Sequence, residues 1–168
     1  MALTTTVGGS STDSYVTLAE ANSVASELSA LVAYGLDITG WSGATDQVKE
    51  AALRVGATQI DSAQHVGYKA SATQALAYPR VGCANINYDN TVPKAIKEAQ
   101  VAQAMHMLTP QSSANAAADA GIQTESFGAG RSVTYRQNSS GSMAVNPCAY
   151  RLMMIAGLIG SSVYMPRR

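Results

Sequence analysis

His65 and His106 are the only imidazoles in the 168 residues, and Cys83 and Cys148 the only thiols. A zinc-type site needs three or four ligands at close, regular spacing, and none of the four has a second His or Cys at metal-ligand spacing. His106 falls on a Met/Ala helix face and reads as a packed or surface residue. The cysteines read as two buried or idle thiols of a reduced cytoplasmic compartment. There is no Gly-x-x-x-x-Gly-Lys-Ser/Thr loop and no Gly-x-Gly-x-x-Gly opening a helix after a strand. Phe127-Gly128-Ala129-Gly130 lies between two short alternating runs, so a hairpin turn accounts for it. A Ser-His-Asp set could assemble only in three dimensions, and no Gly-x-Ser-x-Gly elbow presents a serine. Glu27, Asp61 and the other carboxylates show no paired spacing for acid–base work. The sequence therefore predicts a protein that is not an enzyme and uses no metal or cofactor.

The chemistry it does carry is electrostatic. The last carboxylate side chain is Glu125, and five arginines follow it: Arg131, Arg136, Arg151, Arg167 and Arg168. The first 126 residues hold six Lys/Arg against eleven Asp/Glu, or −5, and the last 42 hold +5. Such polarity suits head-to-tail contacts between copies, or docking of the basic end on an acidic partner; the plainer reading is solvated surface arginine. Arg131, Tyr135 and Arg136 on one hairpin strand, with Arg151, form a candidate subunit or partner interface, facing acids such as Glu20, Glu27 or Asp46 of a neighbour. The same Tyr135, Arg131 and Arg136 are a faint version of the aromatic-and-basic groove that single-strand binders use, with few cations for phosphate neutralisation. The C-terminal run Val163, Tyr164, Met165, Pro166, Arg167, Arg168 reads as a docking arm. Tyr164 and Met165 can fill apolar pockets, Pro166 limits the ordering cost, and the arginines can pair with acids. The plain alternative is a frayed terminus.

These groups need a body to hold them. Apolar residues make up 46% of the chain, but 29 of them are Ala, with one Trp, one Phe and eight Tyr. That core fills only if helices approach closely through Ala faces, or if a partner supplies surface. Charged residues are 13%, about half the usual share, which also favours buried surface in an oligomer. No run is long and apolar enough for a membrane span, and the N-terminus does not read as a signal peptide. Residues 1–13 are Thr/Gly/Ser-rich and read as a flexible segment. Thr17-Leu18-Ala19-Glu20 fits a capping box and opens a first helix running to Tyr34-Gly35. Asp37 to Gly43 reads as a turn holding Trp41. Thr45 or Asp46 caps a second helix to about Ala63. Its apolar face is expected at Val48, Ala52, Val55 and Gln59 with Leu53 and Ile60, and Gly56 in its middle suits close helix contact. Residues 64–92 form a long connection. Pro93 opens a third helix ending at Leu108. Residues 122–136 form a β-hairpin. Asn146-Pro147 caps a last helix to about Gly157. The fold class is thus mainly α: a bundle of three to four main helices spanning residues 14–160, a short β-hairpin within it, and an extended arm over 161–168.

That order carries a resemblance. Asp13-Ser14-Tyr15-Val16 leads to Ala19-Glu20-Ala21, Trp41 precedes Lys49-Glu50-Ala51-Ala52-Leu53, and Gln74-Ala75-Leu76-Ala77-Tyr78-Pro79-Arg80 comes a dozen residues before Val92-Pro93. In this order the set resembles the head-completion, or adaptor, proteins of tailed bacteriophages, some of which carry the label DnaT-like single-stranded DNA-binding protein. The resemblance implies a twelve-subunit ring below the portal, an arm that reaches the portal, a lower face that receives tail proteins, and a channel through which DNA passes without sequence-specific binding. It implies a place in the virion neck after synthesis in the host cytoplasm. Tyr15, Trp41, Tyr78, Pro79 and Arg80 are then expected to be packing residues. The family often has Trp where this chain has Tyr78, and the Ser/Ala-rich residues 111–121 have no clear counterpart.

Overall fold

A computed structural model describes residues 2–29, 39–82, 91–109, 124–127, 131–134 and 145–159. The elements are α1 (Leu18–Ser29), α2 (Thr39–Gly43), α3 (Asp46–Asp61), β1 (Tyr68–Lys69), β2 (Arg80–Val81), α4 (Lys94–Leu108), β3 (Thr124–Phe127), β4 (Arg131–Thr134) and α5 (Pro147–Ile155). The mainly helical class with a small hairpin is what the sequence led us to expect. The chain divides into two compact units, residues 1–109 with 144–168, and residues 110–143.

In the larger unit α4 is the central helix, packed on by α3, α5, α1 and α2. It is buried from Ala99 through Met105. Close approach explains how so much of a helix can be covered by small side chains. A Cβ placed on Gly56 would lie 3.2 Å from the Gln100 carbonyl oxygen, so α3 meets α4 nearly backbone to backbone. At Gly40 the fit is tighter still: a Cβ there would come within 1.9 Å of the Leu108 carbonyl oxygen, so only glycine lets α2 abut the end of α4. Two apolar clusters result. One gathers Tyr15, Ile60, Tyr78, Ile96 and Met153, the other Val16, Trp41, Leu53, Val101 and Met105. Burying a side chain such as Leu53 contributes about 2 kcal/mol.

Two caps follow the sequence, whereas Thr45 holds the N-cap position of α3 without a side-chain hydrogen bond and Pro93 precedes α4 as its N-cap rather than opening it. Glu20 accepts from the Thr17 amide at 2.8 Å, and the Glu20 amide donates to the Thr17 hydroxyl oxygen at 3.2 Å, which closes the capping box of α1. Asn146 Oδ1 accepts from the Cys148 amide at 2.7 Å, with Pro147 as the first helical residue of α5. Three expectations are corrected. Trp41 sits on the short helix α2 rather than in a turn. The buried face of α3 is Ala52, Leu53, Gly56, Ala57 and Ile60, while Val48 and Val55 point outward. The long connection contains an unforeseen antiparallel ribbon, with Tyr68 paired to Val81 and Lys69 to Arg80. Within residues 2–13 the Asp13 amide donates to the Thr4 carbonyl at 3.0 Å, and Arg54 Nε meets the Asp13 carboxylate at 2.7 Å.

The smaller unit holds the hairpin. β3 pairs antiparallel with β4, Thr124 opposite Thr134 and Phe127 opposite Arg131.

Candidate functional site

The run from Gln74 to Arg80, which carried most of the resemblance, contains no helix, and only its last residue is in a strand. Beside the backbone bonds from the Ala75 amide to the Gly9 carbonyl and from the Ala70 amide to the Pro79 carbonyl, both 3.1 Å, several of its backbone groups are met by side chains. Gln74 is buried; its Nε2 donates to the carbonyls of Leu76 (2.8 Å) and Pro79 (3.1 Å), and its Oε1 accepts from the Ser71 amide (2.9 Å). Asp61, the last residue of α3, accepts from the Ala77 amide at 2.8 Å and from the Tyr15 hydroxyl. The Tyr15 oxygen in turn accepts from the Tyr78 amide at 3.2 Å. The Tyr78–Pro79 peptide bond is cis. Arg80 spends its guanidinium on four backbone carbonyls: Val66 at 2.7 Å, His65 at 3.3 Å, Ala77 at 3.4 Å, and Gly67.

The clamp extends to the last described residues. The Val66 amide donates to the Leu158 carbonyl at 3.0 Å, and His65 pairs antiparallel with Ile159. His65 Nε2 lies 2.9 Å from the Ile60 carbonyl and must carry the proton there, so Nδ1 is the acceptor for the Tyr78 hydroxyl at 3.2 Å. The Tyr78 hydroxyl also reaches the Leu158 carbonyl at 3.5 Å. Burial raises the pKa of Asp61 and of Tyr15, the latter helped by the adjacent Asp61 charge. Burial lowers that of His65, and the Arg80 charge adds to the effect.

A second polar centre is Gln100 on α4, fully buried. Its Oε1 accepts from the Tyr15 amide (3.0 Å), and its Nε2 donates to Ser14 Oγ (2.8 Å) and the Leu53 carbonyl (2.9 Å). Beside it, Gln103 Nε2 donates to Gln59 Oε1 at 2.7 Å, and its own Oε1 takes the Asn146 amide at 2.6 Å. An open cleft of about 450 Å³ lies between the N-terminal loop and α1. Its charged lining residues, Glu20 and Lys97, are paired to each other at 3.1 Å.

Among the site residues proposed from sequence, Tyr15, Trp41, Tyr78 and Pro79 are buried in the larger unit, and Arg80 is half-buried. Trp41 Nε1 donates to Asn22 Oδ1 at 3.2 Å, with Lys49 Nζ 5.4 Å from the centre of its ring. Arg151 is exposed on α5. Arg131 opens β4. Tyr135, Arg136 and the arm residues Val163, Tyr164, Met165, Pro166, Arg167 and Arg168 lie outside the described residues. Sequence reasoning missed Asp61, His65 and Gln100. The one signal for Gln100 was a lone long amide flanked by Ala99, Val101 and Ala102; His65 and Asp61 gave none, because their partners are distant in sequence.

Among the described residues no group of three or more His, Cys, Asp or Glu is placed to hold a metal ion, and no helix is long and apolar enough to cross a membrane. Over residues 1–167 the chain matches the family described as "Putative DnaT-like ssDNA binding protein". No curated protein and no solved structure matches it. The chain belongs to that DnaT-like family.

Proposed function

We propose, starting from this family membership, that the protein is a structural adaptor of a tailed-phage neck. Copies form a ring that docks on the portal, receives tail proteins below and leaves a channel for DNA. It works without catalysis, in the virion. The observation that carries this reading is the position of the Gln74–Arg80 run. Within that run Tyr78 reaches the Leu158 carbonyl, and Arg80 holds the carbonyls of His65 and Val66, the two residues whose backbone pairs with Leu158 and Ile159, just before residues 161–168. A docking arm needs such a fixed root, because a root that moved would add its own entropy to the cost of ordering the arm. Multiple linked copies would then restore affinity through avidity. The test is capture of the purified protein on its portal, with and without residues 161–168. Loss of capture on deletion supports arm docking; equal capture removes it. Absence of the protein from purified virions removes the adaptor reading altogether.

The family description favours a second reading, a module that binds single-stranded DNA. Such binding needs cations free to meet phosphate. In the larger unit Arg54 pairs with Asp13, Lys97 with Glu20, and Lys94 with Glu98 at 3.3 Å, while Arg80 is engaged by carbonyls. Lys69 is likewise held by carbonyls, whereas Arg151 is exposed on α5, so this reading leans on Arg131, Arg136 and Arg151. It predicts salt-sensitive binding of an oligothymidylate that Arg131→Ala with Arg136→Ala weakens; no binding at low salt removes it.

A further inference from the structure

Seven large apolar side chains are well exposed among the described residues, and six of them fall in two places. The first is the outward side of α3, where Val48 is 45% and Val55 50% exposed, with the exposed Ala51 between them. Positions three, four and seven apart share one face of a helix. The second place flanks the backbone bridge between residues 65–66 and 158–159. On one side of the bridge is the ribbon, where Tyr68 is 77% exposed and Val81 stands opposite it. On the other side is the end of α5, where Ile155 is 86% exposed, beside Met154 and one turn after the exposed Arg151. An Ile with this exposure, next to an exposed Met and joined through the bridge to the ribbon that carries Tyr68, is the pattern of a surface awaiting a partner.

The two places differ in charge. The elements that build the second, β1, β2 and α5, carry Lys69, Arg80 and Arg151 and no carboxylate. Beside the first, the exposed charge is the carboxylate of Asp46 in the first turn of α3; of the other helix acids, Glu20 and Glu98 are paired with lysines and Asp61 is engaged by Tyr15 and Ala77. One surface is thus apolar with a basic rim, the other apolar with an exposed acid at its end; α3, which carries the first, and α5, which carries part of the second, both pack on α4 by their other sides.

We propose that these surfaces are the two halves of one contact between copies of this chain: Tyr68, Val81, Met154 and Ile155 of one copy pack on Val48 and Val55 of the next, with Arg151 directed at the acidic end of α3 around Asp46. The occupant is a second copy because the chain itself presents the complement in both apolar area and charge. Because the two halves are different, the contact is heterologous, and each added copy leaves one half free for another. Repetition closes into a ring when the rotation permits. The inference rests on the ring reading and names its subunit surface.

Self-association of the full chain, followed by sedimentation velocity across the accessible concentration range, tests it. Wild type is expected to form a concentration-dependent series of oligomers. Val55→Asp and Ile155→Asp, each of which would bury an unpaired carboxylate, are each expected to weaken association by about tenfold or more. The decisive arm is the mixture. Each variant retains one intact half, so the two together must form dimers and stop there. Arg151→Glu should weaken association less, and the residual association should lose salt sensitivity. Unchanged Trp41 fluorescence and melting temperature certify that the variants fold; where either does not, Val48→Lys and Met154→Lys take their places. A wild type that stays monomeric, variants that assemble like wild type, or a folded mixture that fails to pair would each overturn the proposal. Portal capture by the arm is read separately, so that result stands or falls without this one.

Discussion

The helical layer and the clamp around residues 65–82 solve the same problem in opposite ways. In α1, α3 and α4 the backbone satisfies itself, so side chains are free to pack, and most do so as Ala, Gly, Val or Leu. In the clamp there are only two short strands, so side chains must satisfy backbone groups one by one: Gln74, Asp61, Tyr15 and Arg80 together meet the peptide groups of residues 65–67, 71 and 76–79. The lesson is about tolerance. A packed face accepts apolar side chains of similar volume, whereas a position whose side chain caps particular amides and carbonyls accepts almost no replacement.

The sharpest way to break this comparison is to place the clamp's logic inside the helical layer, where Gln100 already does so. Gln100→Leu keeps the volume but strips partners from the Tyr15 amide, Ser14 Oγ and the Leu53 carbonyl. Ser14 Oγ keeps its bonds to Val16 and the Leu53 carbonyl lies within the α3 ladder, so the Tyr15 amide is the group left unpaired; that costs about 1–3 kcal/mol, and with the two weakened partners we expect a loss of about 3 kcal/mol in chemical denaturation. A loss below about 1 kcal/mol would mean that Gln100 packs like its neighbours and that the contrast is false. Next comes Arg80→Lys. It keeps the charge but loses the planar fork, and one ammonium cannot span four carbonyls. We expect a loss of about 2 kcal/mol, together with faster amide exchange at Val66, whose hydrogen bond to Leu158 the loop supports. Slow exchange there in the variant would detach Arg80 from the root of the C-terminal segment.

A smaller effect comes from pH. The folded-state pKa of His65 is lowered by burial and by Arg80, relative to its ordinary value. The folded state therefore binds fewer protons than the unfolded one. His65's contribution to stability is present above pH 6.5 and is lost as pH falls below that value through the folded pKa. The melting temperature of wild type should fall between pH 7 and pH 5 more steeply than that of His65→Gln. Asp61, with its raised pKa, acts in the opposite sense, and it is common to both proteins, so the difference between them isolates the histidine. Parallel slopes would place His65 in contact with solvent.

The same contrast governs what could be read from the sequence. Caps were legible because their partners lie three residues or fewer away: Thr17 with Glu20, and Asn146 with Cys148. Helix positions and the hairpin were legible from periodicity and from the glycines at 128 and 130. The Gln74–Arg80 run stood out as a motif, but its wiring did not, since Tyr15 reaches Asp61 across 46 residues and Tyr78 reaches Leu158 across 80. The face of α3 was misread for a related reason. Period alone offers two overlapping sets, and valines outweigh alanines in any hydropathy reading. What decides is that α4 comes close enough to admit only Gly56, Ala52 and Ala57 beside Leu53 and Ile60, a fact about the partner helix and not about α3.

That misreading supplies the smallest and most discriminating prediction. If Val48 and Val55 belonged to the core, Val55→Ser would remove two buried methyl groups and bury a hydroxyl, at a cost of 2 kcal/mol or more. In the structure Val55 is 50% exposed and is not among the buried residues of α3. Substitution at such a site changes stability by less than about 0.5 kcal/mol, while Ala57→Ser, one helical position from the Gly56 contact, should cost more despite being the smaller change. Denaturation of both variants at a concentration low enough to hold the protein monomeric gives the comparison directly. An inverted order, with Val55 the costlier site, would rotate α3 on α4 and move the outward valines inside.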